Sequence, residues 1–151
     1  MGLKVGDKIP FFTLPDSEGR PFSVKDIIGK QAFVVYFYPK NNTPGCTKEA
    51  CDFRDSYEDF KKLGAEVIGI SADSVKSHSR FGKKHDLPFI LLSDSNNVVR
   101  KQFKIKNSLL LLPGRETYVV DEKGTILMVY NSINASEHMK RALKASFVSK
   151  E

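Results

Sequence analysis

The 151-residue chain contains two cysteines, Cys46 and Cys51, and both fall within the run 38–54, Tyr-Pro-Lys-Asn-Asn-Thr-Pro-Gly-Cys-Thr-Lys-Glu-Ala-Cys-Asp-Phe-Arg. The residues around them predict the start of a helix. Thr43 is of a type that caps helices, and Pro44 suits a first helical turn, where its missing N–H costs nothing. Cys46 would then lie in the first turn, facing the positive end of the helix dipole and backbone N–H groups that precede the intrahelical ladder. Both features favour thiolate, so the chemistry on offer is nucleophilic and redox chemistry at sulfur.

A thiolate alone is not a catalyst. Lowering a thiol pKa from about 8.5 to about 6 raises its ionised fraction near neutral pH on the order of tenfold. With a Brønsted slope of about 0.4 to 0.5, the same change costs on the order of tenfold in intrinsic nucleophilicity. The two effects nearly cancel. A fast Cys46 therefore needs donors that orient a substrate and stabilise charge on a leaving oxygen, such as an arginine and a hydroxyl.

Cys51 follows five residues later. In an intact helix such a pair is separated by roughly 9 Å between Cα atoms and by about 140° around the axis. A disulfide needs Cα atoms within about 7 Å. Either the two thiols never bond, or the first turn or two unwinds when they do. A pair that requires local unfolding is a poor structural staple and a plausible catalytic couple; the alternative is two unrelated buried cysteines.

Pro39, Thr43 and Cys46 fit the Pro-x-x-x-Thr-x-x-Cys signature of peroxiredoxins, and the run 38–55 resembles the bacterioferritin comigratory protein, or peroxiredoxin Q, subfamily. The similarity extends to Ile70-Ser71-Ala72-Asp73-Ser74, to residues 87–94 and to Pro113-Gly114-Arg115-Glu116-Thr117. It implies a thioredoxin-like fold, reduction of hydroperoxides by Cys46, resolution by Cys51 as an intramolecular disulfide, and recycling by thioredoxin or a similar dithiol. It also implies roles for single residues. Arg115, otherwise a solvated turn cation, would hydrogen-bond the thiolate and the peroxide through its planar, always-charged fork. Thr43 would add a hydroxyl bonded to the thiolate or peroxide oxygen, and Pro39 would shield the sulfur from water. Glu49, one turn after Cys46, would either pair with an arginine behind the site or remain an exposed helix carboxylate.

Several elements must position these groups. Ala32 to Tyr38 reads as a buried strand stopped by Pro39. Ala50, Phe53, Tyr57 and Phe60 continue at helical spacing to a C-terminal signal at Lys61, Lys62 and Gly64, predicting one helix throughout. Glu66 to Ser71 reads as a second buried strand, parallel to the first in a β-α-β unit. Before this unit, Phe11 to Leu14 and Pro21 to Val24 form a hairpin, with a helical turn over 26–28. After it, Asp73 or Ser74 caps a helix running to about Lys84, then come a strand over 89–92 and a short helix over 97–103. Thr117 to Asp121 and Thr125 to Tyr130 form a second hairpin. Ser136 caps a last helix with Met139, Leu143 and Phe147 along one face. The expected class is α/β: a single thioredoxin-like domain over 1–151, its central mixed β-sheet flanked by helices, with an N-terminal β-hairpin.

Composition agrees with one core, since 40% of the residues are apolar. No stretch reaches the roughly 20 apolar residues of a membrane helix, and the N-terminus lacks a secretory apolar region. With two thiols confined to one reactive stretch, a reducing compartment is expected, cytoplasmic or alternatively a plastid or other organelle. The net charge of +6 raises nucleic acid as a partner. The basic clusters at 76–84 and 100–106 nevertheless lack a nucleic-acid motif and read as solvated faces that would help attract an acidic reductant. Lys40 and Lys48 read as surface charges. His78, His85 and His138 lack metal-site spacing, and no phosphate loop or dinucleotide fingerprint occurs, so neither metal nor cofactor is expected. A resolving thiol within the same chain leaves a monomer as the expected state. The competing functions are a protein thiol-disulfide oxidoreductase, whose usual Cys-x-x-Cys is missing, and a non-catalytic nucleic-acid-binding module on the same scaffold.

Overall fold

Alternation of apolar side chains along one central strand determines how the chain divides into layers. The computed structural model describes residues 2–105, 114–132 and 134–150; Lys106, Pro113 and the Phe147 side chain lie outside the described residues. Strands β1 (Thr13–Pro15) and β2 (Pro21–Ser23) form the expected antiparallel N-terminal hairpin. Strand β3 (Ala32–Phe37) leads into helix α1 (Pro44–Asp55), followed by α2 (Tyr57–Lys62), β4 (Ala65–Ser71), α3 (Val75–Lys84) and β5 (Ile90–Ser93). Helix α4 (Val98–Gln102), strands β6 (Glu116–Val120) and β7 (Ile126–Asn131), and helix α5 (His138–Lys150) complete the described elements. The main sheet has five strands in the order β5-β4-β3-β6-β7. Strand β3 runs parallel to β4 and antiparallel to β6, so the sheet is mixed and the β3-α1-β4 crossover is the expected one.

Successive residues of β3 face opposite sides. Phe33, Val35 and Phe37 join Phe12, Leu92, Phe103 and Tyr118 in one apolar layer. Val34, Tyr36 and Tyr38 face the other, where Cys46, Ala50 and Phe53 of α1 pack with Phe60, Phe81 and Phe89. Tyr36 is stacked between Tyr38, 5.3 Å away, and Phe53, 4.6 Å away with its ring nearly parallel. Strand β3 thereby grips the second half of α1.

Three local expectations change. The single helix predicted from Pro44 to Lys62 breaks at Ser56, which leaves helical geometry at φ −105° and ψ 7°. Serine competes for its own backbone and favours helix ends. The last helix is capped through Asn134, whose side chain accepts from Ser136 N at 2.9 Å within a short 3-10 turn (Ala135–Glu137), and not through Ser136. Its buried stripe is His138, Ala142 and Ser146, while Met139 and Leu143 are half-buried. The stripe is rotated one residue from the apolar series because small Ala142 permits close approach to the sheet and both polar members find hydrogen bonds, His138 with Thr117 of β6 and Ser146 with the Ala142 carbonyl of its own helix.

Gly69 of β4 stands opposite Tyr36, and a Cβ built there would come within 2.8 Å of the tyrosine ring. The ring cannot yield, being wholly buried against Phe53. Gly69→Ala should destabilise the fold by about 1–3 kcal/mol, measurable as a lower urea midpoint at unchanged slope.

Candidate active site

The loop 38–43 carries the chain from β3 to α1, and buried hydrogen bonds hold its shape. The Asn41 amide N–H donates to Asp73 Oδ2 at 2.8 Å, its Nδ2 donates to Ser77 Oγ at 3.1 Å, and its Oδ1 accepts from the Tyr38 hydroxyl at 2.7 Å. Asn42 takes the left-handed conformation that reverses the chain, at φ 66°, which asparagine tolerates better than most residues. Thr43 occupies the N-cap position, and the helical ladder opens with Thr47 N donating to Thr43 O at 2.9 Å. The N–H groups of Gly45 and Cys46 therefore precede the ladder, at the positive end of the dipole.

Cys46 is 1% exposed, and its Sγ accepts from Arg115 Nη2 at 3.4 Å. The same guanidinium donates through Nη1 to Glu49 Oε1 at 2.5 Å. Arg115 is 5% exposed, and burial works against its charge, but Glu49 and Cys46 outweigh that and hold its pKa above the ordinary value. It can lie this close because Gly45 has no side chain; a Cβ there would sit 3.2 Å from Nη2.

Glu49 is not an exposed helix carboxylate. It is fully buried, and its Oε2 has no hydrogen-bond partner. Burial pushes its carboxyl up to about 8, against the lowering effect of Arg115. Thr43 differs from expectation as well. Its hydroxyl makes no cap bond and instead donates to the Lys40 carbonyl at 2.8 Å, tightening the loop. Pro39 is half-buried where the loop leaves β3. Cys51 is half-buried in α1, and both cysteines are free thiols. Lys48 is exposed and pairs with Asp52 at 3.2 Å. The structure thus brings Cys46, Arg115 and Glu49 into direct contact, with Thr43 and Pro39 in the loop before the helix and Cys51 beyond the next turn.

Two further residues shape the site. Arg100, expected on a solvated basic face, is 5% exposed. Its Nη1 donates to Gly114 O at 2.7 Å and its Nη2 to Tyr38 O at 3.1 Å, which ties the residue before Arg115 to the end of the strand before Pro39. Burial lowers its pKa despite Asp94, Glu116 and Cys46. His138 is wholly buried, with Nδ1 2.7 Å from Thr117 Oγ1 and 3.6 Å from Glu49 Oε2. Burial, assisted by Arg115, lowers its pKa to about 4 against a raising contact with Ser132. Among the described residues no three His, Cys, Asp or Glu side chains converge as metal ligands would, and no helix is long and apolar enough to cross a membrane.

A first-turn thiol bonded to a buried arginine has recognisable relatives. Residues 5–129 match the AhpC/TSA family. The chloroplastic peroxiredoxin Q of Sedum lineare is 55% identical over 141 residues, covering 92% of this chain and 75% of that protein. The chain spans 64% to 66% of the length of further plant relatives. Among solved structures, peroxidoxin BcpB from Mycobacterium tuberculosis superposes with a TM-score of 0.89 at 36% identity over 97% of each chain. The bacterioferritin comigratory protein of Xanthomonas campestris gives 0.88 at 29% identity, over 96% of this chain and 100% of that one. The chain belongs to the AhpC/TSA family and, within it, to the peroxiredoxin Q and bacterioferritin comigratory protein thiol peroxidases.

Proposed function

We propose that Cys46 is the peroxidatic sulfur and Cys51 the resolving one, with hydrogen peroxide and alkyl hydroperoxides as substrates. The observation that carries this reading is the Arg115 Nη2 to Cys46 Sγ bond at 3.4 Å in the first turn of α1. The thiolate attacks one peroxide oxygen; an S–O bond forms, the O–O bond breaks, and the electron pair leaves on the second oxygen, which takes a proton as water or alcohol. Sulfur is oxidised to sulfenic acid. Arg115 and the first-turn N–H groups stabilise the charge developing on the departing oxygen. The Thr43 hydroxyl joins them by turning from the Lys40 carbonyl towards the peroxide, and Pro39 limits water at the sulfur. The Xanthomonas relative is described by its alkyl peroxide reduction activity, which supports the substrate class.

Cys51 then attacks the sulfenic sulfur, forming the disulfide and releasing water, and an external dithiol such as thioredoxin restores both thiols by exchange. With α1 continuous from Pro44 to Asp55, the pair must first come closer. Opening the first turns breaks the Arg115 bonds to Cys46 and Glu49. It stops short of Phe53, stacked on Tyr36, and of Arg54, whose Nη1 donates to His85 O at 2.9 Å. Because both thiols belong to one helix, a monomer suffices. The chloroplastic setting of the Sedum relative favours a plastid over the cytoplasm among reducing compartments.

Cys46→Ser should abolish peroxide turnover. Cys51→Ser should still form one sulfenic acid per chain, seen by intact mass, but lose dithiol-linked turnover; normal turnover with thioredoxin would remove Cys51 from the resolving role.

Arg115→Lys should slow Cys46 oxidation in stopped flow by about 100-fold or more, because an ammonium cannot hold sulfur and oxygen in one plane. A loss under about threefold would show that the guanidinium does not stabilise the transition state.

A further inference from the structure

His138 sits behind the site, and three contacts fix its chemistry. Its Nε2 lies 2.8 Å from the Ser132 carbonyl oxygen, which can only accept, so Nε2 carries the ring proton. In the neutral ring Nδ1 is then a bare lone pair, and it accepts from the Thr117 hydroxyl at 2.7 Å. The same Nδ1 lies 3.6 Å from Glu49 Oε2, too far for a hydrogen bond and close enough for the lone pair to act on that oxygen's charge. Oε2 is buried and receives no donor. As a carboxylate it would set unpaired negative charge against the lone pair; as O–H it turns a positive hydrogen towards it.

The other titratable groups acting on Glu49 are Arg115 at Oε1, Asp52 on its own helix, Tyr36 of β3 and Tyr38 just after that strand, with Cys46 one turn earlier in the helix. Arg115 is the one cation among these groups, and it faces two acids, Glu49 and Cys46. The geometry points to His138 as a positioning residue for the peroxidase reaction: its Nδ1 lone pair favours a proton on Glu49 Oε2, which leaves the charge of Arg115 to the Cys46 sulfur. This rests on Cys46 being the attacking sulfur. Burial acts in the same sense, raising Glu49 to about 8 and lowering His138 to about 4, so both are neutral at neutral pH.

The test is the second-order rate of Cys46 oxidation by hydrogen peroxide in single turnover, followed across pH. In the unaltered chain the rate should fall through about pH 8, as Glu49 ionises and draws on Arg115. Glu49→Gln should remove that fall. His138→Asn, whose amide N–H can donate to Oε2 and stabilise the carboxylate, should move the fall to lower pH by about one unit. Nitrogen NMR of the unaltered chain should show His138 as the neutral Nε2–H tautomer throughout the neutral range, a readout that survives if His138→Asn does not fold. A fall that persists in Glu49→Gln, one that stays in place in folded His138→Asn, or an imidazolium at neutral pH would overturn the assignment. A Cys46 inert to peroxide at every pH would overturn the peroxidase reading instead, with the tautomer still deciding this one.

Discussion

One buried guanidinium serves two acids. Arg115 donates to the Cys46 sulfur with one nitrogen and to the Glu49 carboxyl with another, all three nearly inaccessible to water. In such a setting a second negative charge is expensive, because solvent does not answer it. On the proposed mechanism, reactivity at sulfur depends on how the charge of Arg115 is divided between its two acids. Much of the surrounding architecture serves to hold the arginine: Arg100 clamps the carbonyl of Gly114, β6 begins immediately after Arg115, and Glu49 braces the guanidinium from α1.

On the proposed mechanism the same helix is rigid for one step and yields for the next. Its second half is fixed by aromatic stacking on β3, where Phe53 lies against Tyr36, itself stacked on Tyr38. Its first half is held by Cys46, Glu49 and Ala50, of which Glu49 is a strained tenant. With its pKa raised to about 8 when buried, against an ordinary 4.5, the closed helix binds a proton that the open one does not. The contribution of Glu49 to its stability is accordingly fully present below about pH 4.5 and is lost as pH rises to about 8, by linkage. Glu49 lies between the two thiols, Cys46 and Cys51.

Much of this was legible in the chain itself. Local periodicity revealed the strand before the loop, the helix entrance and Cys46 in its first turn, because each depends on near neighbours and on residue types with definite backbone preferences. The helix break at Ser56 was hidden, since the apolar spacing of Phe53, Tyr57 and Phe60 continues across it. Arg115 and its role came from resemblance, not from spacing. Arg100 and His138 were missed for one reason: a cation in a basic run and a lone histidine acquire meaning only from partners far along the chain, Gly114 and Tyr38 for the first, Thr117, Ser132 and Glu49 for the second. Thr43 shows the converse. Its type indicated a cap, yet its hydroxyl is turned back to donate to the Lys40 carbonyl and its oxygen accepts no first-turn N–H.

At position 45 the helix turns naked main chain towards the guanidinium, with only 3.2 Å between Nη2 and the place where a first side-chain carbon would stand. The site is therefore partly defined by a missing atom. Even one methyl group there would crowd the guanidinium and make it give by a few tenths of an ångström, so bare main chain at this one position sets how closely that charge approaches the helix.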